Sequence, residues 1–436
     1  MDVVTIFIAT LLLSFSTIRT SCLEDKCVSY HEESPTNSKR TNSIASSVPR
    51  YILYDVNAPE GFNLRRDVYM RMAIFVKSLA DSGDWHLVLP SWTHLCHWKS
   101  PFTQNHIPWS QYFDLPSLQK FAPVIETSQF FQEYGGKPLD AVYILQNFKN
   151  AWKGDFKWEE KWIFENCSSR ISFSRDGDGL YHGDVWGYDN ITAFEVKCVS
   201  FQGQVKQLKE LLELDRDRAV LIDHAEIALH NHFGNREYWR CRRSMRFAKH
   251  LEEVAKYFRA TFLNSTDESD GINRPDDWTQ EKPLRNAKGG PYFCAHLRRR
   301  DFLMGRPNLV PNFENAASQI RKYQKSYTDV ETIFVSTDAS QEELTELKTS
   351  FQDFNIVKYE PSPNEIKKFK DGGIAIIDQI ICSHARLFVG TCESTFSFRI
   401  QEEREIMGFN PETTFNCFCG NNVTDCTQPS KWLIVH

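Results

Sequence analysis

The chain has 436 residues, of which 41% are hydrophobic and 25% charged, the balance of a globular protein with about two to three domains. A formal net charge of −6 disfavours nucleic acid or an anionic membrane surface as a partner. Any anionic ligand must therefore be held by positive groups gathered locally.

Residues 3–15 form an apolar run interrupted only by Thr and Ser, too short to span a bilayer. Small residues near Thr20 and Ser21 complete a secretory signal at residues 1–21, although Asp2 stands where a basic residue is usual. Residues 22–49 are polar and read as a flexible lead-in. Residues 51–56 read as a strand, followed by a loop at 59–63, an amphipathic helix at 65–79 and a strand at 86–90. Strand, loop, helix and strand are the unit of a parallel sheet. Residues 91–204 are aromatic and read as irregular. A short helix at 205–214, a strand at 219–222 and a mostly helical stretch at 236–258 follow. The basic residues from Arg236 to Arg246 are expected on a solvated face, with Trp239 and Met245 turned inward. Residues 264–290 are polar and proline-bearing, a candidate linker.

Beyond that stretch the alternation is clear. Strands are predicted at 291–296, 331–337, 355–359 and 387–390, with helices at 312–323, 341–351, 373–385 and from 394 onward. Such β–α units argue for a doubly wound parallel sheet, an α/β fold.

Secretory entry is supported by four N-glycosylation sequons, at Asn166, Asn190, Asn264 and Asn422. Twelve cysteines suit an oxidising compartment. Cys419 and Cys426 bracket a turn-rich segment, and Cys167 and Cys198 could close a sequon-bearing loop. Cys294 and Cys382 lie within apolar runs and are expected as buried thiols. No CxxC or paired histidines suggest zinc, and no Walker or dinucleotide glycine pattern is present.

Three segments carry candidate chemistry. The run His296-Leu297-Arg298-Arg299-Arg300-Asp301 follows a predicted strand, where open parallel sheets bind ligands. A guanidinium matches phosphate oxygens in a two-pronged way, so Arg298 is the candidate phosphate contact, with Asp301 free to hold a neighbouring arginine. Thr395 and Phe396 open a helix whose unpaired N–H groups could face phosphate, and Asp378 could accept hydrogen bonds from a base. Glu60, beside Gly61 in the first loop, is the candidate proton acceptor. Glu403 sits in the acidic pattern Glu402-Glu403-Arg404-Glu405, which usually marks an exposed helix end. Asp176 and Asp178 form an Asp-x-Asp pair of the type that grips a divalent ion, a motif common by chance.

These residues resemble the GDP-fucose protein O-fucosyltransferases, most closely their type-two branch. The carriers are Tyr54-Asp55-Val56-Asn57, Pro59-Glu60-Gly61-Phe62-Asn63-Leu64-Arg65-Arg66-Asp67, His296-Leu297-Arg298-Arg299 with Asp301-Phe302, Asp371-Gly372-Gly373 with Ile377-Asp378-Gln379, and Ser394 to Ile400. The resemblance implies a GT-B fold of two Rossmann-like domains facing a cleft, divided at 50–250 and 251–436, with the donor on the second. It implies inverting transfer of fucose from GDP-β-L-fucose to Ser or Thr of a folded thrombospondin type 1 repeat. No metal or other cofactor would be needed, and the site would be a monomer's, in the endoplasmic reticulum lumen. It makes Glu60 the catalytic base and Arg298 and Glu403 residues needed for activity. Pro59, Glu60, Gly61, Phe62, Asn63, His296, Leu297, Arg298, Asp378, Thr395 and Phe396 become donor contacts. It also pairs Cys167 with Cys198 and Cys419 with Cys426. Two alternatives stay open on the residues: a non-catalytic module that holds folded secreted repeats, and an O-fucosyltransferase for EGF-like repeats.

Overall fold

The structure, a computed structural model, describes residues 48–149, 158–168, 171–214, 216–421, 423 and 425–436. The expected signal, nearly all of the lead-in and the Asn422 sequon lie outside them.

The first half builds a large sheet. Its strands are β1 (Arg50–Tyr54), β2 (Trp85–Leu89), β3 (Val124–Glu126), β4 (Leu139–Gln146), β5 (Lys161–Glu165), β6 (Phe173–Arg175), β7 (Tyr181–Val185), β8 (Tyr188–Gln202) and β9 (Ala219–Asp223). They lie in the order β3-β2-β1-β9-β4-β8-β7-β6, with β5 also paired to β8. Strands β1 to β4 and β9 pair in parallel, as does β4 with β8, whereas β5, β6 and β7 add antiparallel ladders. The helices of this half are α1 (Phe62–Lys77), α2 (Leu115–Gln119), α3 (Thr127–Tyr134) and α4 (Arg236–Ser244), and the next helix, α5 (Lys249–Phe262), packs against the second half, with Phe258 on Phe334 and Tyr359.

Residues 91–204 are thus far more ordered than expected. The buried strand β4 carries the apolar run Ala141-Val142-Tyr143-Ile144-Leu145, which a reading of this stretch as irregular overlooks, whereas β5 and the first half of β8 are largely exposed and carry at most short apolar runs. The short helix expected at 205–214 is a 3₁₀ helix at Val205–Leu211.

The second half forms a five-stranded, wholly parallel sheet in the order β12-β11-β10-β13-β14. Its strands are β10 (Gly290–Leu297), β11 (Thr332–Thr337), β12 (Asn355–Val357), β13 (Ala385–Gly390) and β14 (Asn416–Cys417). Helices α6 (Arg300–Gly305), α7 (Phe313–Gln324), α8 (Gln341–Ser350), α9 (Pro363–Ser383), α10 (Thr395–Met407) and α11 (Pro411–Thr414) connect and flank them. The predicted alternation of this half is observed, because strands buried on both faces read as continuous apolar runs. Helix α9 starts ten residues before its apolar stretch, at a capping box in which the Ser362 hydroxyl and the Glu365 carboxylate satisfy each other's backbone N–H groups.

One apolar core joins the two lobes. It runs from Val68, Met72 and Phe75 of α1, through Tyr238, Trp239 and Leu251, to Ile376, Ile380 and Phe388. Lobe association is therefore part of folding, and the cleft between the strand ends is set by packed helices.

Two expectations fail here. Arg242, Arg243 and Arg246 are buried, not solvated. The chain breaks between α4 and α5, so the basic run folds under the second lobe and finds carboxylates there. Cys294 and Cys382 are a disulfide rather than two thiols, with a Cα–Cα distance of 5.1 Å. Helix α9 packs on β10 and brings the two sulfurs together, a meeting that spacing alone does not reveal. Cys392–Cys417 is a further bridge, and Cys167–Cys198 and Cys419–Cys426 pair as the resemblance implied. Cys96 and Cys241 are the free thiols among the described residues.

Candidate active site

The site lies where the carboxyl ends of β1 and β10 face each other. After β1 the chain makes a tight loop, closed by the Glu60 N–H donating to Asn57 O at 2.9 Å. Arg65, from the first turn of α1, clamps this loop. Its Nε donates to Glu60 O at 3.0 Å and its Nη2 to Val56 O and Asn57 O at 2.9 and 3.1 Å. The Glu60 carboxyl is raised above the usual glutamate range by burial, which the charges of Arg65 and Arg71 oppose. Partial desolvation of this kind is what turns a weak base into a usable one.

Gly61 is required by a close approach. A β-carbon there would lie 2.9 Å from Cδ2 of His97. Phe62 is buried against Trp92, Trp98 and Tyr112 and anchors the start of α1. Asn63 reaches the other lobe: its Oδ1 accepts from Gln379 Nε2 at 2.9 Å, and Arg66 bridges both side chains.

On the second lobe, His296 is buried at the end of β10. Its Nδ1 lies 2.8 Å from Ser397 Oγ and its ring stacks on Phe396 at 4.4 Å. Burial, and then the Arg298 charge, hold its proton affinity down at about 3, so the imidazole is neutral. Leu297 is buried and fixes the strand end through its carbonyl, which accepts from Thr337 Oγ1 at 2.6 Å.

The three arginines have different fates. Arg299 turns inward, to Glu343, to Pro311 O and over the Phe313 ring. Arg300 lies at the surface and donates to Asp338 O. Arg298 stays partly exposed, with its Nη2 2.8 Å from Asp301 and its Nη1 3.0 Å from Asp338. Asp301 was expected to hold a neighbouring arginine. Instead it holds Arg298 itself, because Asp301 falls on the first turn of α6 and faces back toward the strand end.

Asp378 accepts from Ser336 Oγ at 2.8 Å, while its Oδ1 is buried without a partner. Burial, opposed by Lys358, raises this carboxyl to about 6. Helix α10 begins with Thr395 and Phe396, and its N-cap residue Ser394 makes no side-chain cap. The first-turn N–H groups are thus not satisfied by a capping side chain.

His97 links the two halves of the site. It touches Gly61, and after burial the charge of Arg298 is the main influence lowering its proton affinity. Nothing in the sequence distinguishes His97 from its neighbours His94 and His106 in this aromatic stretch. The motif Asp371-Gly372-Gly373 proves to be a joint between the lobes: the Asp371 carboxylate accepts from the backbone N–H groups of Lys99 and Ser100.

Glu403 lies apart from these groups. It is 1% exposed, not at a solvated helix end, and accepts from Arg242 at 2.8 Å and Arg274 at 2.7 Å. Glu402 and Glu405 are buried as well, since α10 runs through the interior and each acid is paired with an arginine from another segment. Asp178 lies in the turn between β6 and β7 and pairs with His182. Among the described residues no group of three or more His, Cys, Asp or Glu side chains could hold a metal ion. Asn166, Asn190 and Asn264 are exposed, as glycan attachment requires.

The sequence profile of the GDP-fucose protein O-fucosyltransferase family matches residues 51–407. This chain belongs to that family. It is 48% identical to GDP-fucose protein O-fucosyltransferase 2 of Homo sapiens over 397 residues, covering 90% of this chain and 92% of the relative. It is 40% identical to the protein of that name from Caenorhabditis elegans, covering 94% and 96%. A crystal structure of POFUT1 in complex with GDP shares the fold, with a TM-score of 0.54 at 16% identity, covering 87% of this chain and all of the other. The two facing parallel-sheet lobes are accordingly those of a GT-B fucosyltransferase, and the protein O-fucosyltransferase class of enzyme fits the chain throughout its matched length.

Proposed function

We propose that the protein transfers fucose from GDP-β-L-fucose, with inversion and without a metal, to a Ser or Thr hydroxyl of a folded thrombospondin type 1 repeat. The acceptor oxygen attacks C1 of fucose, the bond from C1 to the β-phosphate oxygen breaks, and the hydroxyl proton passes to Glu60 directly or through a water. The departing GDP keeps the bonding electron pair. Arg298 and the first-turn N–H groups of α10 then balance the charge growing on the β-phosphate. Such preorganised donors contribute roughly 3–4 kcal/mol each in other transfer reactions. Asp378, with one buried oxygen lacking a partner, takes the N–H groups of the guanine base.

The observation that carries this reading is that His97 packs against Gly61, beside the half-buried Glu60, and feels the charge of Arg298 at the end of β10, which links the loop after β1 to the basic strand end. The four disulfides and exposed sequons among the described residues suit work in the endoplasmic reticulum lumen. No helix among those residues is long and apolar enough to cross a membrane.

The test is mass spectrometry of folded thrombospondin and EGF-like repeats, each incubated with the protein and GDP-fucose. A gain of one fucose on the thrombospondin repeat alone is expected. Fucose on the EGF-like repeat instead would move the acceptor assignment. The same reaction should proceed in EDTA, and its loss there would return attention to Asp176 and Asp178.

A further inference from the structure

Glu226 sits on a 3₁₀ turn (Ala225–Ile227) just after β9 and is 4% exposed. We propose that it is the positioning residue of the catalytic loop, holding Glu60 in register by accepting the Asn57 N–H. The inference rests on the reading of Glu60 as the base.

The contacts form a short chain. Glu226 Oε2 accepts the Asn57 N–H at 3.2 Å, and Asn57 O in turn accepts the Glu60 N–H at 2.9 Å. The supporting turn is itself fixed from both sides. The Ala225 N–H donates to Asp55 O at 2.9 Å, and Arg71 Nη1 donates to Glu226 O and Ala228 O at 3.0 and 2.8 Å. His224, which starts the turn, adopts a left-handed φ of 55°, a conformation that persists only where its surroundings enforce it. Arg65 grips the loop from the α1 side and Glu226 from the β9 side, so Glu60 is carried on a segment held at two points.

The chemistry of the group fits this task. Burial pushes the Glu226 carboxyl up to about 8, with Glu60 and Asp223 adding to the rise and the Asn57 N–H opposing it. At neutral pH it therefore holds its proton and serves as a neutral acceptor for the Asn57 N–H. A glutamine amide can do the same work, and an apolar side chain of equal length cannot.

The experiment compares E226Q and E226M with the full-length wild-type protein, using folded repeat and GDP-fucose as substrates and GDP calorimetry as a binding control. A catalytic group displaced by about 1 Å loses on the order of a hundredfold in rate, so E226M should lose about ten- to a hundredfold in kcat. Its GDP affinity should change far less than its kcat. E226Q should restore kcat to within about threefold of wild type, since it keeps the acceptor. Wild-type kcat in E226M would overturn the assignment. So would equal losses of kcat and GDP binding, a folded but inactive E226Q, or an E226M protein that does not fold, which would make the residue a general support of the lobe. A wild-type protein that transfers no fucose would instead refute the fucosyl-transfer reading itself.

Discussion

As the proposed base, Glu60 draws on its setting. An ordinary glutamate is too weak a base at neutral pH, and here burial raises its proton affinity while Arg65 and Arg71 keep the rise modest. Because the proposed mechanism needs the carboxylate, turnover should fall as pH drops through the Glu60 ionisation. That fall should centre above the usual glutamate value, and a profile of kcat against pH checks it. Glu60→Gln should retain GDP binding and lose about 10²- to 10⁴-fold in transfer, the usual worth of a positioned base. Wild-type turnover in that variant would remove Glu60 from the chemistry. Arg298→Ala should cost about 10²–10³ in kcat, and Arg298→Lys should recover only part of it, because an ammonium lacks the two-pronged fork. Single-turnover rates for both variants decide the point. The positions of these two residues at strand ends were legible in the sequence, since each sits in a long motif beside a strand. The neighbourhoods of His97 and Glu226 were not, because each packs against a segment distant in the chain.

Helix α9 shows how an element serves the site at a distance. Its backbone kinks at Lys370, which takes φ 60° and ψ 174°, and the following Asp371 is capped by amides of the first lobe. Gly372 then passes under Tyr112, where an added β-carbon would lie 2.7 Å from the ring. A glycine-to-alanine change within a helix normally stabilises by about 1 kcal/mol, whereas overpacking costs about 1–3 kcal/mol. Tyr112 is fully buried against Phe62, Trp92 and Trp98 and has no room to retreat, so the clash wins. Gly372→Ala should lower Tm, and it should also reduce kcat, because the displaced ring pushes on Phe62 next to the Glu60 loop. An unchanged Tm by calorimetry would contradict this. The second-lobe β–α units were readable because their strands are apolar throughout. The first ten residues of α9 and the antiparallel strands β5 to β8 were not, since their polar, half-exposed sequences match neither apolar template.

At the scale of the molecule, the lobes are locked by charge as well as by core packing. Arg242 joins α4 to Glu402 and Glu403 of α10, Arg274 adds a second partner to Glu403, and Arg399 reaches Asp67 on α1. Glu403 thus belongs to the frame that sets the cleft. Burial would raise its proton affinity, but Arg274 and Arg242 prevail and hold it down at about 2. A carboxylate held below its unfolded value stabilises the fold above the ordinary glutamate pKa. That contribution is lost as pH falls from about 4.3 towards the folded value. Glu403→Ala should destabilise by about 1–3 kcal/mol at pH 7, because it removes one carboxylate from each of two buried guanidinium groups, leaving Arg242 with Glu402 and Arg274 with Glu281. The gap to wild type should narrow at pH 3. Urea unfolding at both pH values checks it, and a loss below 1 kcal/mol at pH 7 would show the network to be dispensable. The amino-acid order by itself determined the parallel α/β class, the basic strand end and the acidic loop after the first strand. These follow from local periodicity and short motifs that survive reading in one dimension. Only the tertiary structure decided that Cys294 meets Cys382, that Glu403 is interior and paired, and that Asp301 restrains Arg298. Each depends on which distant segments pack together, and that choice is made by the shared core between the lobes rather than by any residue's neighbours in the chain.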